Sequence, residues 1–506
     1  MRLVLTFGII CLLQGLSGEP RPEFGLTNTI SGSDRMTLVR NAASTIPMEI
    51  MAISAGSLIS GYGPLNTLNG CVAFLTIPFG NLLNFLFDGY DKLLVAKDGN
   101  IAGAFSNFET AISSIISYIS VGVSGIRNQL RLNSFPGIDS QLEDAYGRIA
   151  AGLLDLKSKS TLVREALIEV YNIVGSATVS ADILRKHLPM KLVYDMVHSF
   201  SNFRAFLPLV TYILNYKVQN LKEADSYFVR LRTALSTDVT VEGEKLTTYI
   251  EKIISQIQTT VESEFSGDKT NAQTAADISS LTNIKTATQY AGLIAAANTL
   301  SGLFAVDALA AQTSTMKAAF SKITSSSLNL INRLQRLVIL NTNVLLRELI
   351  YTLLDNVKYG RYCFNKYKDL VHNMFEQSFN SAWLCVNNEY ERLDYLKITL
   401  DGILELMAYD YEDFLTQVKV CESINSSPTN LNSCVTALAN FYTEVFKMTT
   451  EKITIVYKLA TDEAVASENR LLMCFQLVFI DGINVQQPKI QSALRTCSTD
   501  GPAGSD

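Results

Sequence analysis

The sequence predicts an all-α protein, with a long-helix bundle in its N-terminal region and a disulfide-stapled helical domain at its C-terminus. Apolar residues recur at intervals near 3.6 positions, as at Ile250, Ile253 and Ile257, which is typical of amphipathic helices. Only 11 prolines and 28 glycines interrupt 506 residues, so long helices are permitted. Six of the eight cysteines lie beyond residue 360, which concentrates any cross-linking in the last part of the chain.

Residues 1–18 have the pattern of a secretory signal peptide. Met1-Arg2 provides a positively charged start, Leu3 to Leu13 is almost wholly apolar, and Gly15 to Gly18 supplies small residues for cleavage. The apolar segment is too short to span a bilayer. The sequence therefore predicts a secreted, extracellular protein.

Residues 19–350 form an apolar region rich in Ala, Ser and Ile. Its extreme segment is Ala291 to Thr313, where small residues would let helices pack closely; the alternative is a surface for lipid or a partner helix. The most membrane-like segment, Cys71 to Phe87, is interrupted by Pro78 and three polar or glycine positions. We interpret it as buried core and predict no permanent membrane anchor.

Polar segments rich in turn-forming residues divide the chain into predicted helices of about 20 to 40 residues. Four such breaks stand out: Gly61 to Asn66, Asn133 to Ser140, Phe265 to Thr274, and Ser423 to Ser433. Short connectors between long helices favour a bundle or stacked hairpins.

The cysteine spacing within 351–500 predicts a pair of cross-linked helices. Cys363 and Cys385 are 22 positions apart, which places them on nearly one face of a helix, and Cys474 and Cys497 are 23 apart. Two antiparallel helices of this length would bring Cys363 near Cys497 and Cys385 near Cys474. Pro488 is expected to kink or interrupt the second helix.

The remaining cysteines complete this disulfide hypothesis. Cys421 and Cys434 flank the polar segment after residue 422 and would close it as a loop. Six cysteines allow 15 connectivities, and the spacing argument favours one of them. Cys71 is predicted to be a buried free thiol, with an intermolecular bridge as the alternative.

The C-terminal spacing resembles that of the TsetseEP-type domain, which occurs in secreted proteins of flies and mosquitoes. The resemblance covers 363–497 and rests on Cys363, Phe364 and Tyr367, on the cysteine 22 positions later, and on the final cysteine pair. It implies a non-enzymatic insect protein of the gut, saliva or secretory glands.

Charge and motifs indicate which functions to expect. Between residues 361 and 500 there are 12 Lys/Arg and 18 Asp/Glu, a net charge of −6, which argues against a nucleic-acid partner. His187, His198 and His372 are the only histidines and form no His-x-x-x-His pair, and neither Gly-x-Ser-x-Gly nor a P-loop occurs. We predict no enzymatic activity, no cofactor and no metal site.

Two further residues carry specific expectations. Asn425 begins an Asn-Ser-Ser sequon in a predicted loop, so we expect N-glycosylation there. Trp383, the single tryptophan, is predicted to pack in the core against a disulfide, with ligand stacking as the alternative.

These observations favour a secreted, non-enzymatic structural or interaction protein with a protein or glycan partner in an extracellular fluid. Two alternatives remain open at this level. One is an extracellular carrier of an apolar ligand such as a lipid, and the other is a membrane-inserting helical protein.

Overall fold

A computed structural model describes residues 23–502, apart from positions 134, 304, 306–307, 338–339 and 356–357. The predicted signal peptide, residues 1–18, lies outside the described residues. Every regular element in the described part is a helix, which confirms the all-α prediction. The α-helices are α1 (Asp34–Asn41), α2 (Ile46–Met51), α3 (Gly63–Val95), α4 (Ile101–Ser117), α5 (Ser124–Leu132), α6 (Pro136–Val174), α7 (Ala181–His187), α8 (Met190–Ala276), α9 (Tyr290–Leu303), α10 (Ala310–Leu337), α11 (Val344–Leu354), α12 (Gly360–Glu422), α13 (Pro428–Phe479) and α14 (Gln487–Asp500).

Short helical segments of other types connect some of these. A π-helical segment, π1 (Tyr118–Val123), joins α4 to α5, and a second, π2 (Ile480–Gln486), joins α13 to α14. Two single 3₁₀ turns lie at Ile284–Thr286 and Leu340–Thr342.

The chain divides into two compact units that do not follow the boundary expected at residue 350. The first unit comprises Met1–Leu231, Leu346–Lys368 and Ser492–Asp506, and the second comprises Arg232–Leu345 and Asp369–Gln491. Both ends of the cysteine-containing segment 351–500 thus belong to the first unit. The sequence carried no signal for this division because α8, α12 and α14 contribute residues to both units, so no linker marks a boundary.

The first unit is built around buried aromatic rings. The ring of Phe200 on α8 lies 5.2 Å from that of Tyr90 and 6.4 Å from that of Phe108, centroid to centroid. Helix α3 packs against α2 and α4. Within the segment Cys71 to Phe87, Cys71 and Phe79 are buried, whereas Phe74, Ile77 and Phe85 are exposed, so the core interpretation holds for one face of this helix only.

A buried polar cluster in the first unit caps two helix ends. Lys217 Nζ donates a hydrogen bond to the carbonyl oxygen of Leu354 (3.2 Å), and Asn220 Nδ2 donates to that of Leu353 (3.0 Å). These bonds satisfy terminal carbonyls of α11. Asp355 Oδ1 accepts a hydrogen bond from the backbone N–H of Gly137 (2.8 Å) at the start of α6. Lys217 is 1% exposed, and this burial lowers its pKa to about 7.

The second unit contains the hairpin of α12 and α13, with α9 and α10 packed on α13. The predicted break at Phe265 to Thr274 is wrong, because α8 continues without interruption to Ala276. That segment has one glycine and no proline. Asp268 and Ala272 within it are buried, as is Ala275 just after it. Tertiary burial of this face therefore outweighs the weak helix propensity of its polar residues.

Among the described residues of the first unit, two helical stretches are long and apolar enough to cross a bilayer by length and composition. They are Gly63–Val95 and Ile101–Leu132. In the most apolar window of the first, 50% of residues are buried, against 22% for the second. A core helix that is mostly buried satisfies the same criterion of length and composition. The second stretch is the less buried of the two.

Candidate functional site

The structure joins the six C-terminal cysteines in three disulfides, Cys363–Cys497, Cys385–Cys474 and Cys421–Cys434. These are the same pairs that the two-helix interpretation of the spacing favours. The Cα–Cα distances are 5.9, 5.8 and 5.8 Å. Each disulfide links α12 to the part of the chain that returns through α13 and α14.

Contacts between the two disulfides of the second unit establish an antiparallel register for α12 and α13. Near the turn, the rings of Phe414 and Tyr442 meet at 4.9 Å between centroids. Further along, Lys452 Nζ lies 2.7 Å from Asp410 Oδ2. Residue numbers fall along α12 as they rise along α13, so Cys385 and Cys474 come opposite each other. The sequence-derived idea of two helices of similar length running head to tail agrees with this part of the structure.

A buried ion pair supports the hairpin one turn from Cys385–Cys474. Glu389, 4% exposed, accepts a bidentate pair of hydrogen bonds from Arg470, with Nε to Oε1 at 2.9 Å and Nη2 to Oε2 at 3.0 Å. Ser467 Oγ also donates to Glu389 Oε2 at 2.8 Å, and Arg392 pairs with Oε1 at 2.5 Å. The hydrogen bonds to Glu389 raise the pKa of Arg470.

Sequence reasoning missed this ion pair, although a signal for it was present. Glu389 follows Cys385 by four positions, and Arg470 precedes Cys474 by four. In an antiparallel pair cross-linked at these cysteines, residues displaced by one turn in opposite directions along the chain come face to face. The expected disulfide therefore implied that a carboxylate and a guanidinium would meet.

A groove of about 530 Å³ lies against the Cys385–Cys474 disulfide, between α12 and the segment that runs from α13 through π2 into α14. Its volume falls within the range of about 300–1,000 Å³ typical of small-molecule sites. Both disulfide-bonded cysteines line it. The apolar lining side chains are Leu370, Met374, Leu384, Leu477, Val478 and Ile490.

The groove also presents polar side chains. Asp481 lines it on π2, and Gln486 Nε2 lies 3.5 Å from Asp481 Oδ1. The uncharged polar lining side chains are Asn373, Gln377, Ser378, Asn380, Ser381 and Gln486. The buried lining residues Met374, Cys385 and Ile490 make up the apolar floor of the groove. Apolar surface combined with a few hydrogen-bonding groups is the usual composition of a small-molecule site.

The π2 segment forms one side of the groove, and the presence of Pro488 explains why this segment is π-helical. A proline lacks the N–H that would bond to the carbonyl four positions earlier, at Asn484, and its ring would clash with that carbonyl in a regular α-helix. The wider π turn accommodates both effects, so the helix continues where the sequence predicted a kink or interruption. Gly482 permits a close approach here, since a Cβ would lie 3.0 Å from Ser378 Oγ.

The other residues singled out from the sequence lie away from the groove lining. Trp383 packs against the core of the second unit, with its ring 6.0 Å from that of Tyr249, which agrees with a core position rather than one lining the groove. Asn425 is exposed in the turn between α12 and α13. Cys71 is a buried free cysteine in the first unit, and burial raises the pKa of its thiol.

None of the three histidines lines the groove. His187 Nδ1 lies 3.4 Å from Glu169 Oε1, and His198 Nε2 lies 3.3 Å from Asn202 Nδ2. His372 is half-buried on α12 and does not line the groove. Among residues 23–502 with the gaps given above, no group of three or more His, Cys, Asp or Glu side chains is placed to hold a metal ion.

Comparison with known proteins gives this site no counterpart. No protein-family model, no curated protein and no solved structure matches the chain.

Proposed function

We propose that this protein is a secreted, non-enzymatic binding protein whose disulfide-linked helical hairpin presents the groove beside Cys385–Cys474 as its recognition site. The groove is the observation that carries the proposal. It combines a volume suited to a small molecule with an apolar floor and polar side chains. The spacing resemblance to TsetseEP-type domains is consistent with a binding or structural role outside the cell.

The extracellular compartment is supported by the covalent framework. Three intramolecular disulfides are typical of proteins in oxidising environments, because cytosolic thiols are kept reduced. The signal-peptide pattern of residues 1–18 supports the same compartment, and glycosylation at the exposed Asn425 would follow from it.

A rigid groove wall is a useful property for recognition. The disulfide and the Glu389–Arg470 pair hold α12 and α13 together at one end of the groove. Preorganisation of this kind lowers the ordering cost of binding. The groove therefore supports the carrier alternative more directly than the small-residue segment Ala291 to Thr313 does.

A pair of matched variants tests the proposal. Ser381 is exposed and lines the groove, whereas Asn388 is exposed on the same helix and does not line it. The full chain is expressed with its own N-terminus in an insect secretory host, and the medium is assayed with the neutral apolar dye N-phenyl-1-naphthylamine. We expect dye fluorescence to rise with the wild type and with Asn388→Trp, and to be lost with Ser381→Trp.

Two results would contradict the proposal. Retention of the chain inside the cell with its cysteines reduced would remove the extracellular assignment. Equal dye binding by both tryptophan variants would show that the groove is not the binding site. Circular dichroism and non-reducing peptide mapping of each variant verify that the fold and the disulfides are retained.

Membrane insertion is a second candidate function, favoured by the Ile101–Leu132 stretch. Only 22% of its most apolar window is buried, and Val121 and Leu132 are among the exposed large apolar side chains of the first unit. Insertion would bury this surface in lipid. Leakage of a dye from anionic and neutral liposomes, across pH 5 to 8, tests it, and intact liposomes throughout would exclude insertion.

A further inference from the structure

The charge distribution in the groove suggests the class of ligand. Among the described residues that line it, Asp481 is the only ionisable side chain, and none is Lys, Arg or His. The other polar lining groups are amides and hydroxyls, which donate and accept hydrogen bonds without favouring either sign of charge. The groove is therefore apolar along its floor and carries a single negative charge.

Asp481 is available to a ligand. It is exposed at the groove, where Gln486 Nε2 approaches its Oδ1 to 3.5 Å. Within the part of the chain that the structure describes, no basic side chain forms an ion pair with it. Two other carboxylates on the hairpin, Asp410 and Glu389, are each paired with a lysine or an arginine.

The net charge of the surrounding chain also favours a cationic ligand. Residues 361–500 carry a net charge of −6, so the long-range potential around this part of the chain attracts cations and repels anions. A carboxylate amphiphile such as a fatty acid would place its charge beside Asp481 with no basic partner. An amphiphile with a protonated amine would pair its charge with Asp481 and lay its apolar part on Met374 and Val478.

We propose that the groove binds a small cationic amphiphile, an alkyl or aryl amine, with its ammonium group at Asp481 and its apolar part against the Cys385–Cys474 floor. This inference rests on the proposed function, because it requires the groove to be a binding site. It selects the amine class from among apolar ligands, and it makes fatty acids poor ligands.

Three probes of equal chain length separate the ligand classes. Decylamine, decanol and decanoate carry a cationic, a neutral and an anionic head on the same apolar chain. Each is titrated calorimetrically into the full-length protein at pH 7, below its micelle concentration, in low and high salt. The protein variants are wild type, Asp481→Asn, and Glu376→Gln as a control that removes an exposed carboxylate of α12 outside the groove lining.

The expected order of affinity is decylamine, then decanol, then decanoate. Two unit charges about 4 Å apart in water attract by about 1 kcal/mol, which corresponds to about fivefold in affinity. We therefore expect decylamine to bind about fivefold more tightly than decanol, and Asp481→Asn to remove this difference. Glu376→Gln should preserve it, and high salt should reduce it because the pair is exposed to solvent.

The outcomes separate the two proposals. Failure of all three probes to bind would overturn the groove as a recognition site and the amine inference with it. Binding of all three with decanoate equal to or tighter than decylamine would overturn the amine inference alone. The amine inference also fails if Asp481→Asn and Glu376→Gln reduce decylamine binding equally, because the effect would then come from general charge and not from the groove.

Discussion

The nested arrangement of the disulfides makes a quantitative prediction about folding stability. Cys363–Cys497 encloses Cys385–Cys474, which in turn encloses Cys421–Cys434, with sequence separations of 134, 89 and 13. A disulfide stabilises mainly by reducing the conformational entropy of the unfolded chain, and its effect grows with the logarithm of the loop it closes. The contribution of an outer disulfide should therefore depend on whether the inner one is present.

The magnitude follows from the loop lengths. With Cys385–Cys474 formed, the outer disulfide closes only the difference between the two separations, 45 residues, and contributes about 4.0 kcal/mol. Without Cys385–Cys474, only the innermost disulfide shortens the loop that the outer disulfide closes. The loop is then 134 minus 13, or 121 residues, and closing it contributes about 4.9 kcal/mol. The two disulfides should thus be coupled by about 0.9 kcal/mol.

A double-mutant cycle measures this coupling. The variants are Cys363→Ala/Cys497→Ala, Cys385→Ala/Cys474→Ala, and all four substitutions together. Equilibrium unfolding in guanidinium chloride, followed by circular dichroism, gives the free energy of unfolding of each, and peptide mapping verifies the remaining disulfides. Loss of the outer disulfide should cost more in the background that lacks Cys385–Cys474. An equal or smaller cost in that background would refute the entropic explanation and indicate that native-state interactions of each disulfide dominate.

Three further predictions follow from buried groups. Titration of Lys217 should make the free energy of unfolding rise between pH 7.5 and 9.5, by up to about 1.4 kcal/mol per pH unit. Urea unfolding at a series of pH values measures this rise, and Lys217→Met should flatten it. The pKa of this lysine in the folded protein is about 7, below its ordinary 10.5, so the unfolded chain binds more protons in this pH range. Below pH 7 the buried lysine is protonated as well, and the folded state is destabilised by the whole cost of burying that charge. Arg470→Met should lower the free energy of unfolding in chemical denaturation by about 3 kcal/mol, because it leaves the buried carboxylate of Glu389 with fewer partners. Lys92→Met should lower it by under about 1 kcal/mol, because the ion pair of Lys92 with Asp88 is exposed. Gly137→Ala should lower stability by about 1–3 kcal/mol, because the new Cβ would overlap the backbone carbonyl oxygen of Asp355. Gly147→Ala in the same helix places its Cβ in open space and should raise stability by about 0.5–1 kcal/mol. Thermal unfolding of both variants measures the difference.

Each of these predictions has a result that would contradict it. Parallel pH profiles for wild type and Lys217→Met would mean that this lysine titrates normally in the folded state. Similar costs for the arginine and lysine substitutions would mean that burial does not strengthen the dependence on pairing. A stabilising Gly137→Ala would show that the start of α6 can move away from its neighbour.

Much of the hairpin could be anticipated from residue spacing. The 22- and 23-residue intervals between Cys363 and Cys385 and between Cys474 and Cys497 favour the disulfide pairs that the structure contains. Helical periodicity is a local property, and it survives whatever the helix packs against. The break expected at Phe265 to Thr274 is absent because a polar composition lowers helix propensity only slightly. Burial of Ala272 within the segment and of Ala275 just after it stabilises the helix instead.

The groove could not be predicted in the same way. It depends on π2, where the backbone response to Pro488 is a wider turn and not a break, and on the close approach at Gly482. A sequence shows that a proline disturbs a helix, but the choice between a kink, an interruption and a π turn depends on the neighbouring helix. The same applies to the two compact units, because long helices pass between them without a linker.

The amino-acid sequence by itself determined the helical class, the acidic character of residues 361–500 and which cysteines could face one another, because periodicity, charge and spacing are properties of the chain. Tertiary structure decided that Glu389 is buried and accepts a bidentate pair of hydrogen bonds from Arg470, that Lys217 is removed from solvent, and that Asp481 lines an apolar groove without a basic partner among the described residues. The physical reason is that solvation and pairing depend on what surrounds a side chain, and residues distant in sequence supply those surroundings.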